Sequence, residues 1–148
     1  MGSDGSAIVR LHRAVANPRA TATQIRAIAA EIPYPVGVED ALSILFALLD
    51  REPGSYSRGA ARWASRLALE HKLTLADTQL ALAALAVLPT PGARAGVDAL
   101  IDLAERSGLR RIDELLGDSS RRRGIGDWQT ARQRSDARHR DVSRRPAP

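Results

Sequence analysis

Histidines are the side chains that would most readily bind a metal or transfer a proton here. His12, His71 and His139 lie in three different segments. None of them has a second histidine or a group of carboxylates at the spacing of metal ligands. His71, near the end of its helix, is more typical of a side chain that interacts with the helix dipole. The sequence therefore predicts no metal site and no bound cofactor.

Neighbouring carboxylates are the other candidates for catalysis. General acid–base catalysis needs carboxylates whose pKa values are set apart by their environment in a cleft. The pairs in this sequence occupy positions that we expect to face solvent: Glu39 with Asp40, Asp98 with Asp102, and Asp113 with Glu114. No Gly-x-Ser-x-Gly motif occurs, and cysteine is absent. We therefore expect no catalytic residues and a protein that is not an enzyme.

Arginine forms the clearest pattern of charge. Arg58, Arg62 and Arg66 follow one another at four-residue spacing, so on a helix their guanidinium groups line up about 6 Å apart. A second cluster is Arg121, Arg122 and Arg123. Both groups are candidates for contacts with phosphates or with an acidic protein. The other interpretation of the first group is a solvated helix face on which Arg66 pairs with Glu70.

The formal charge is unevenly distributed along the 148 residues. Residues 1–116 carry 13 basic and 13 acidic side chains, whereas residues 117–148 carry nine Arg and four Asp, which accounts for the net charge of +5. The basic residues are 21 Arg and one Lys, a usage typical of a GC-rich bacterial genome. The number of arginines is therefore weak evidence for phosphate binding, and their position is more informative.

Residues 11–30 form a helix, an Asn17-Pro18-Arg19 break and a second helix that opens at Thr21. This stretch resembles the opening of bacterial winged helix-turn-helix domains, which implies that the next helix reads DNA. That helix, 38–51, instead exposes acidic side chains, while recognition needs polar or basic ones. The connection over residues 33–37 is also long, and no wing hairpin follows. We therefore do not expect sequence-specific DNA binding.

Helices must position all of these side chains, because apolar residues recur every three or four positions and strand patterns are lacking. Thr21 and Gln24 have the form of a capping box. Pro53-Gly54 is predicted to close the third helix, Gly108 to follow the sixth and Gly117 to end the seventh. Residues 80–88 are apolar on every side, which predicts a central helix. The predicted helices span residues 6–16, 21–32, 38–51, 57–72, 74–88, 93–107 and 110–116.

These features predict an all-α fold of six to seven short helices, as a compact antiparallel bundle or a short HEAT-like stack. Two similar segments, Ile32-Pro33-Tyr34-Pro35 before Gly37 and Leu88-Pro89-Thr90-Pro91 before Gly96, suit either arrangement as two helix–PxP–helix units. The helical domain is predicted to cover residues 1–117. Residues 118–148 are predicted to be a largely disordered basic tail, in which Trp128 can dock on the domain.

The longest apolar run, Leu80 to Leu88, has nine residues, against about 20 needed to span a bilayer. No export leader is recognised at the start of the chain. We therefore expect a cytoplasmic protein without membrane contact. The leading hypothesis is a non-enzymatic helical protein-interaction module whose basic tail adds affinity for an acidic partner. A second copy of the chain is another candidate partner. The alternative is a nucleic-acid-binding accessory protein that uses the tail and the Arg58/Arg62/Arg66 face.

Overall fold

The computed structural model describes residues 3–123, with side chains for residues 6–122. Seven helices and no strand occupy that range, so the predicted all-α fold is confirmed. The remaining residues of the predicted tail, with Trp128, lie outside the described part of the chain. The helices are α1 (Ser3–Ala16), α2 (Ala22–Ala30), α3 (Val38–Arg51), α4 (Pro53–His71), α5 (Leu75–Val87), α6 (Ala93–Arg106) and α7 (Arg110–Arg123).

Several helix ends lie where the sequence predicts them. The Thr21 hydroxyl accepts a hydrogen bond from the Gln24 amide at 3.2 Å, and the Gln24 side chain accepts one from the Thr21 amide at 2.9 Å. This is the predicted capping box, which satisfies two amides that the helix itself leaves unbonded. Gly108 follows α6 with a φ of +71°, a conformation that glycine adopts without strain.

The predicted start of α4 and the predicted end of α7 were wrong. α4 begins at Pro53 and not at residue 57, because a proline suits the first helical turn, where its missing amide has no intrahelical partner. α7 continues through Gly117 and ends at Arg123, so the predicted domain boundary falls inside a helix. Gly117 and Ser120 are both buried, and this packing keeps the last two turns of α7 helical.

The helices form two compact units, α1 to α4 and α5 to α7, divided between Thr74 and Leu75. In the first unit α1, α2 and α3 contact one another, and α4 packs on α3. Leu11, Ile25, Leu42 and Leu67 in its core are each no more than 1% exposed. Burying an aliphatic side chain of this size contributes about 1.5–3 kcal/mol to stability.

Polar contacts between different parts of the chain also hold the first unit together. The three pairs are Arg10 with Glu31 at 2.5 Å, His12 with Asp40 at 2.7 Å, and Arg26 with Glu52 at 2.6 Å. Because these side chains are partly exposed, each pair contributes only about 1 kcal/mol or less. Their main effect is geometric, since the first pair joins α1 to the end of α2 and the other two join α1 and α2 to residues at the two ends of α3.

Arg51 adds a contact of another kind from the last turn of α3. Its Nη2 donates to the backbone carbonyls of Val15 at 3.1 Å and Asn17 at 2.8 Å, at the carboxyl end of α1. The last carbonyls of a helix lack intrahelical partners and carry partial negative charge. A guanidinium from α3 therefore caps α1.

The second unit depends on the close approach of α5 and α6. Gly96 is buried in α6, and a Cβ built there would lie 2.5 Å from the Ala84 carbonyl oxygen and 2.7 Å from Val87 Cγ2. The two backbones can approach this closely because Gly96 has no side chain. Arg106 of α6 and Asp77 of α5 add an ion pair at 3.2 Å.

α6, and not α5, lies in the middle of the second unit, because α6 contacts both α5 and α7. Leu75 and Leu82 of α5 are exposed, so the prediction of a central α5 was wrong. The two segments with similar prolines also differ in packing. Gly37 is the N-cap of α3, whereas Gly96 lies inside α6 against α5.

Candidate functional site

The orientation of α4 is set by the apolar side chains that it buries. Tyr56, Ala60, Trp63 and Leu67 recur every three or four residues and are all buried, which is the period of one helix face. Ala64 is buried on the same face, whereas Ser57, Ala61 and Ser65 are exposed. Arg58 and Arg62 are exposed and Arg66 is half-buried, so the structure places the predicted arginine row on one accessible side of α4.

The three arginines of this row differ in their partners. Arg66 forms the expected ion pair with Glu70, one turn further along the helix. Within residues 6–122, neither Arg58 nor Arg62 forms an ion pair, whereas Arg10 and Arg26 are paired with carboxylates of other segments. The positive charge of Arg58 and Arg62 is therefore available to a ligand.

An apolar groove runs beside Arg62, between α3 and α4. Its volume is about 230 Å³. We call it the α3/α4 groove, and its lining residues are Ala41, Ile44, Leu45, Leu48, Gly59, Arg62, Trp63 and Arg66. A concave apolar floor with a few polar groups at its edge is the usual form of a recognition site.

Gly59 and Trp63 shape the groove. A Cβ built at Gly59 would lie 3.0 Å from Leu45 Cδ1, so a larger residue would push into the floor. The Trp63 ring is 4% exposed, and its Nε1 donates to the Val38 carbonyl at 2.9 Å. Because that hydrogen bond fixes the indole, the floor has a defined shape. The sequence analysis missed this groove, and the only signal for it was a glycine inside an otherwise helical pattern.

Leu69 extends this surface toward the end of α4. It follows Arg62 by seven residues, so it lies on the same side of the helix. Its side chain is 82% exposed, the largest exposure of any large apolar residue in the described range. We call Arg58, Arg62, Arg66 and Leu69 together the α4 face. This face combines guanidinium groups with apolar area, which the arginine spacing alone does not show.

A second depression lies between α1 and α2. It has a volume of about 430 Å³ and is lined by Arg10, Arg13, Ala14, Asn17, Ala20, Gln24, Ala27 and Ile28. Arg10 is paired with Glu31, and Gln24 is part of the capping box of α2. Much of its polar lining is thus engaged in holding the helices. Its apolar lining is mostly alanine, so it offers less shape to an anchoring side chain than the α3/α4 groove.

The second predicted arginine cluster lies at the end of α7. Arg121 forms an ion pair with Asp118, and Arg122 is exposed. Arg123 is the last residue of the helix, and its side chain is outside the described set. The two clusters belong to different compact units, α4 in the first and α7 in the second. The predicted docking of Trp128 falls on residues that are not described.

The carboxylates of the predicted pairs differ in exposure: Glu114 is exposed, Asp113 is buried, and the others are half-buried, namely Glu39, Asp40, Asp98 and Asp102. Asp40 is engaged with His12. Asp113, expected to face solvent, is only 8% exposed, because its spacing puts it on the same face of α7 as the buried Leu116, Gly117 and Ser120. No group of three or more histidines and carboxylates within the described range is placed to hold a metal ion.

α3 occupies the place of a recognition helix in the winged helix-turn-helix resemblance. Five consecutive residues, Leu45–Leu49, are buried, and the side chains Glu39, Asp40 and Asp50 that reach the surface of α3 are acidic. None of the described helices is long and apolar enough to cross a membrane. Comparison with known proteins finds no matching family model, no matching curated sequence and no matching solved structure.

Proposed function

We propose that this chain is a non-enzymatic helical protein-interaction module, an adaptor or accessory protein that binds an acidic partner protein through α4. The observation that carries this proposal is the apolar α3/α4 groove with the unpaired Arg62 at its rim. A cation beside an apolar depression suits a partner that presents a carboxylate next to an apolar side chain. Arginine and aromatic residues are also enriched at the energetic centres of protein interfaces.

The exposed Leu69 favours a protein over a nucleic acid as the partner. Phosphate binding uses cationic and polar groups, and it gains nothing from an exposed leucine on the same face. A protein partner would remove that side chain from water. A second copy of this chain is an alternative partner, which light scattering after size exclusion would detect. A cytoplasmic location is part of the proposal, supported by a sequence without cysteine.

A selection from a display library of random 16-residue peptides against the full chain tests the proposal. We expect enrichment of acidic peptides whose affinity falls at least fivefold when Arg62 is changed to Gln. Arg94→Gln is the matched control, because Arg94 is exposed on α6 and belongs to the second unit. If no enriched peptide distinguishes R62Q from R94Q, the proposal is wrong.

Nucleic-acid binding remains the second candidate, because Arg58 and Arg62 are both exposed and unpaired among the described residues. Polarisation titrations of duplex DNA and single-stranded RNA at two salt concentrations test it. Phosphate binding should weaken steeply with salt, and it should also weaken in the triple variant of Arg121, Arg122 and Arg123 to Gln. Tight, salt-dependent binding that Leu69→Gln leaves unchanged would favour this candidate over the proposed one.

A further inference from the structure

We infer that the occupant of the α4 face is an acidic amphipathic helix of the partner, with two apolar side chains seven residues apart. This inference rests on the proposed function and adds the form of the ligand. One apolar side chain fills the α3/α4 groove and the second covers Leu69. Carboxylates within one turn of the groove side chain face Arg58 and Arg62.

The spacing follows from the positions of the two apolar sites along α4. The groove is lined on the α4 side by residues from Gly59 to Arg66, so its centre lies near Arg62 and Trp63. Leu69 is six to seven residues further on, which is about 10 Å along the helix axis. Two residues seven apart on a second helix span the same distance and share one face. A helix lying along α4 therefore reaches both sites at once.

The charge pattern selects an acidic partner. Arg62 and Arg66 lie at the edge of the groove, and Arg58 precedes Arg62 by one turn of α4. Glu70 already neutralises Arg66, so the uncompensated charge lies at Arg58 and Arg62. Glutamates within one turn of the groove anchor would face these two guanidinium groups. A partner helix with lysines there would be repelled.

Grooves between two helices accept helices when they have depth and a fixed floor. Gly59 has no side chain and lets Leu45 approach α4 closely at the floor, and the Trp63 hydrogen bond to Val38 fixes the indole beside it. The half-buried Ala41 lines the groove on the α3 side. Ala41→Leu should therefore fill the groove from α3 without changing any charge.

Three synthetic fluorescein-labelled peptides of 16 residues test the inference in polarisation titrations with the full chain. The first is a glutamate- and alanine-rich helix with leucines at positions i and i+7. The second has the same composition with leucines at i and i+5, so that they lie on different faces. The third has no leucine. We expect the first peptide to bind at least tenfold more tightly than the other two.

Leu69→Gln and Ala41→Leu should each weaken binding of the first peptide by about tenfold. Leu75→Gln is the matched control for the former, because Leu75 is 75% exposed on α5. Ala61→Leu is the control for the latter, because Ala61 is exposed on the opposite side of α4 from the groove. Circular dichroism of every variant should show unchanged helix content. In a Trp128→Phe background, binding should also shift the emission of Trp63.

The outcomes separate this inference from the proposed function. If all three peptides bind equally and R62Q weakens each of them, an acidic partner is supported but the helix with two apolar anchors is excluded. If none of the peptides binds, or if R62Q has no effect on any of them, both the inference and the proposed function are overturned. If L69Q and L75Q weaken binding equally, Leu69 is not a contact and the inference is wrong.

Discussion

The two compact units use different means to hold their helices together. The first unit joins its helices through pairs of charged or polar side chains and through Arg51 at the end of α1. The second brings α5 and α6 into backbone contact at Gly96, with Arg106 and Asp77 as an added ion pair. Most arginines of the first three helices are therefore committed to structure, whereas Arg58 and Arg62 on α4 are not.

This difference indicates which charges can serve a ligand. Substituting an arginine that caps a helix or pairs across two helices lowers the stability of the fold. An arginine without a partner in the described residues can be changed at little cost to the fold. Arg51 and Arg62 therefore differ, although both belong to the first unit. Sequence spacing alone cannot tell a structural arginine from one that is free for a ligand.

The largest expected effect is at the contact between α5 and α6. Gly96→Ala should destabilise the second unit by about 2–3 kcal/mol, because its Cβ would overlap the Ala84 carbonyl and Val87. Hydrogen exchange should accelerate in residues 75–123 and not in residues 3–74. Gly54→Ala is the control, since nothing lies within 4 Å of a Cβ there, and it should stabilise slightly, by about 0.5 kcal/mol. If Gly96→Ala and Gly54→Ala changed stability equally, close backbone contact at Gly96 would not be what holds the second unit together.

The next effect is at the cap on α1. Arg51→Met keeps most of the aliphatic stem but removes the hydrogen bonds to Val15 and Asn17, and it should cost about 1–2 kcal/mol. Urea unfolding followed by Trp63 fluorescence in the Trp128→Phe background measures it. Arg94→Met should change stability by less than about 0.5 kcal/mol, as expected of an exposed residue. If Arg94→Met lowered stability as much as Arg51→Met, a structural role of arginine would not be special to the first unit.

A smaller gain of stability is expected at the end of α4. Lys72 has a φ of +51°, a left-handed conformation that costs a residue with a Cβ about 1 kcal/mol. Lys72→Gly should therefore raise the free energy of unfolding by up to about 1 kcal/mol. Thermal unfolding measures the change. A loss of stability would mean that the lysine side chain makes a contact of greater value than the backbone strain.

The smallest effect concerns pH. Hydrogen bonds from Ser55 and then from Arg26 hold the pKa of Glu52 below its ordinary value of 4.5. A carboxyl with a lowered pKa adds stability that is present above pH 4.5 and is lost as the pH falls through the folded-state pKa. Ser55→Ala should raise the pKa of Glu52 toward 4.5, as measured by an NMR titration of the side-chain carboxyl. An unchanged pKa in that variant would exclude the Ser55 contact.

The sequence predicts local features well, because local features depend on neighbouring residues. The capping box at Thr21, the bounds of α3, the Arg66–Glu70 pair and the glycine after α6 all follow from short spacings. Other features are not predicted, because they join residues far apart in sequence or depend on how two helices pack. They are the Arg51 cap, the His12–Asp40 contact and the α3/α4 groove. At Gly117 a local signal was misleading: glycine is typical of a helix end, but this residue is buried inside α7.

The most direct test of the central claim is an NMR titration of the isotope-labelled full chain with the acidic peptide that carries leucines seven residues apart. If the peptide docks on α4, amide shifts should change around residues 41–48 of α3 and residues 58–70 of α4, and those of α5, α6 and α7 should stay unchanged. Changes confined to the second unit or to the arginine-rich end of the chain would contradict a docking surface on α4.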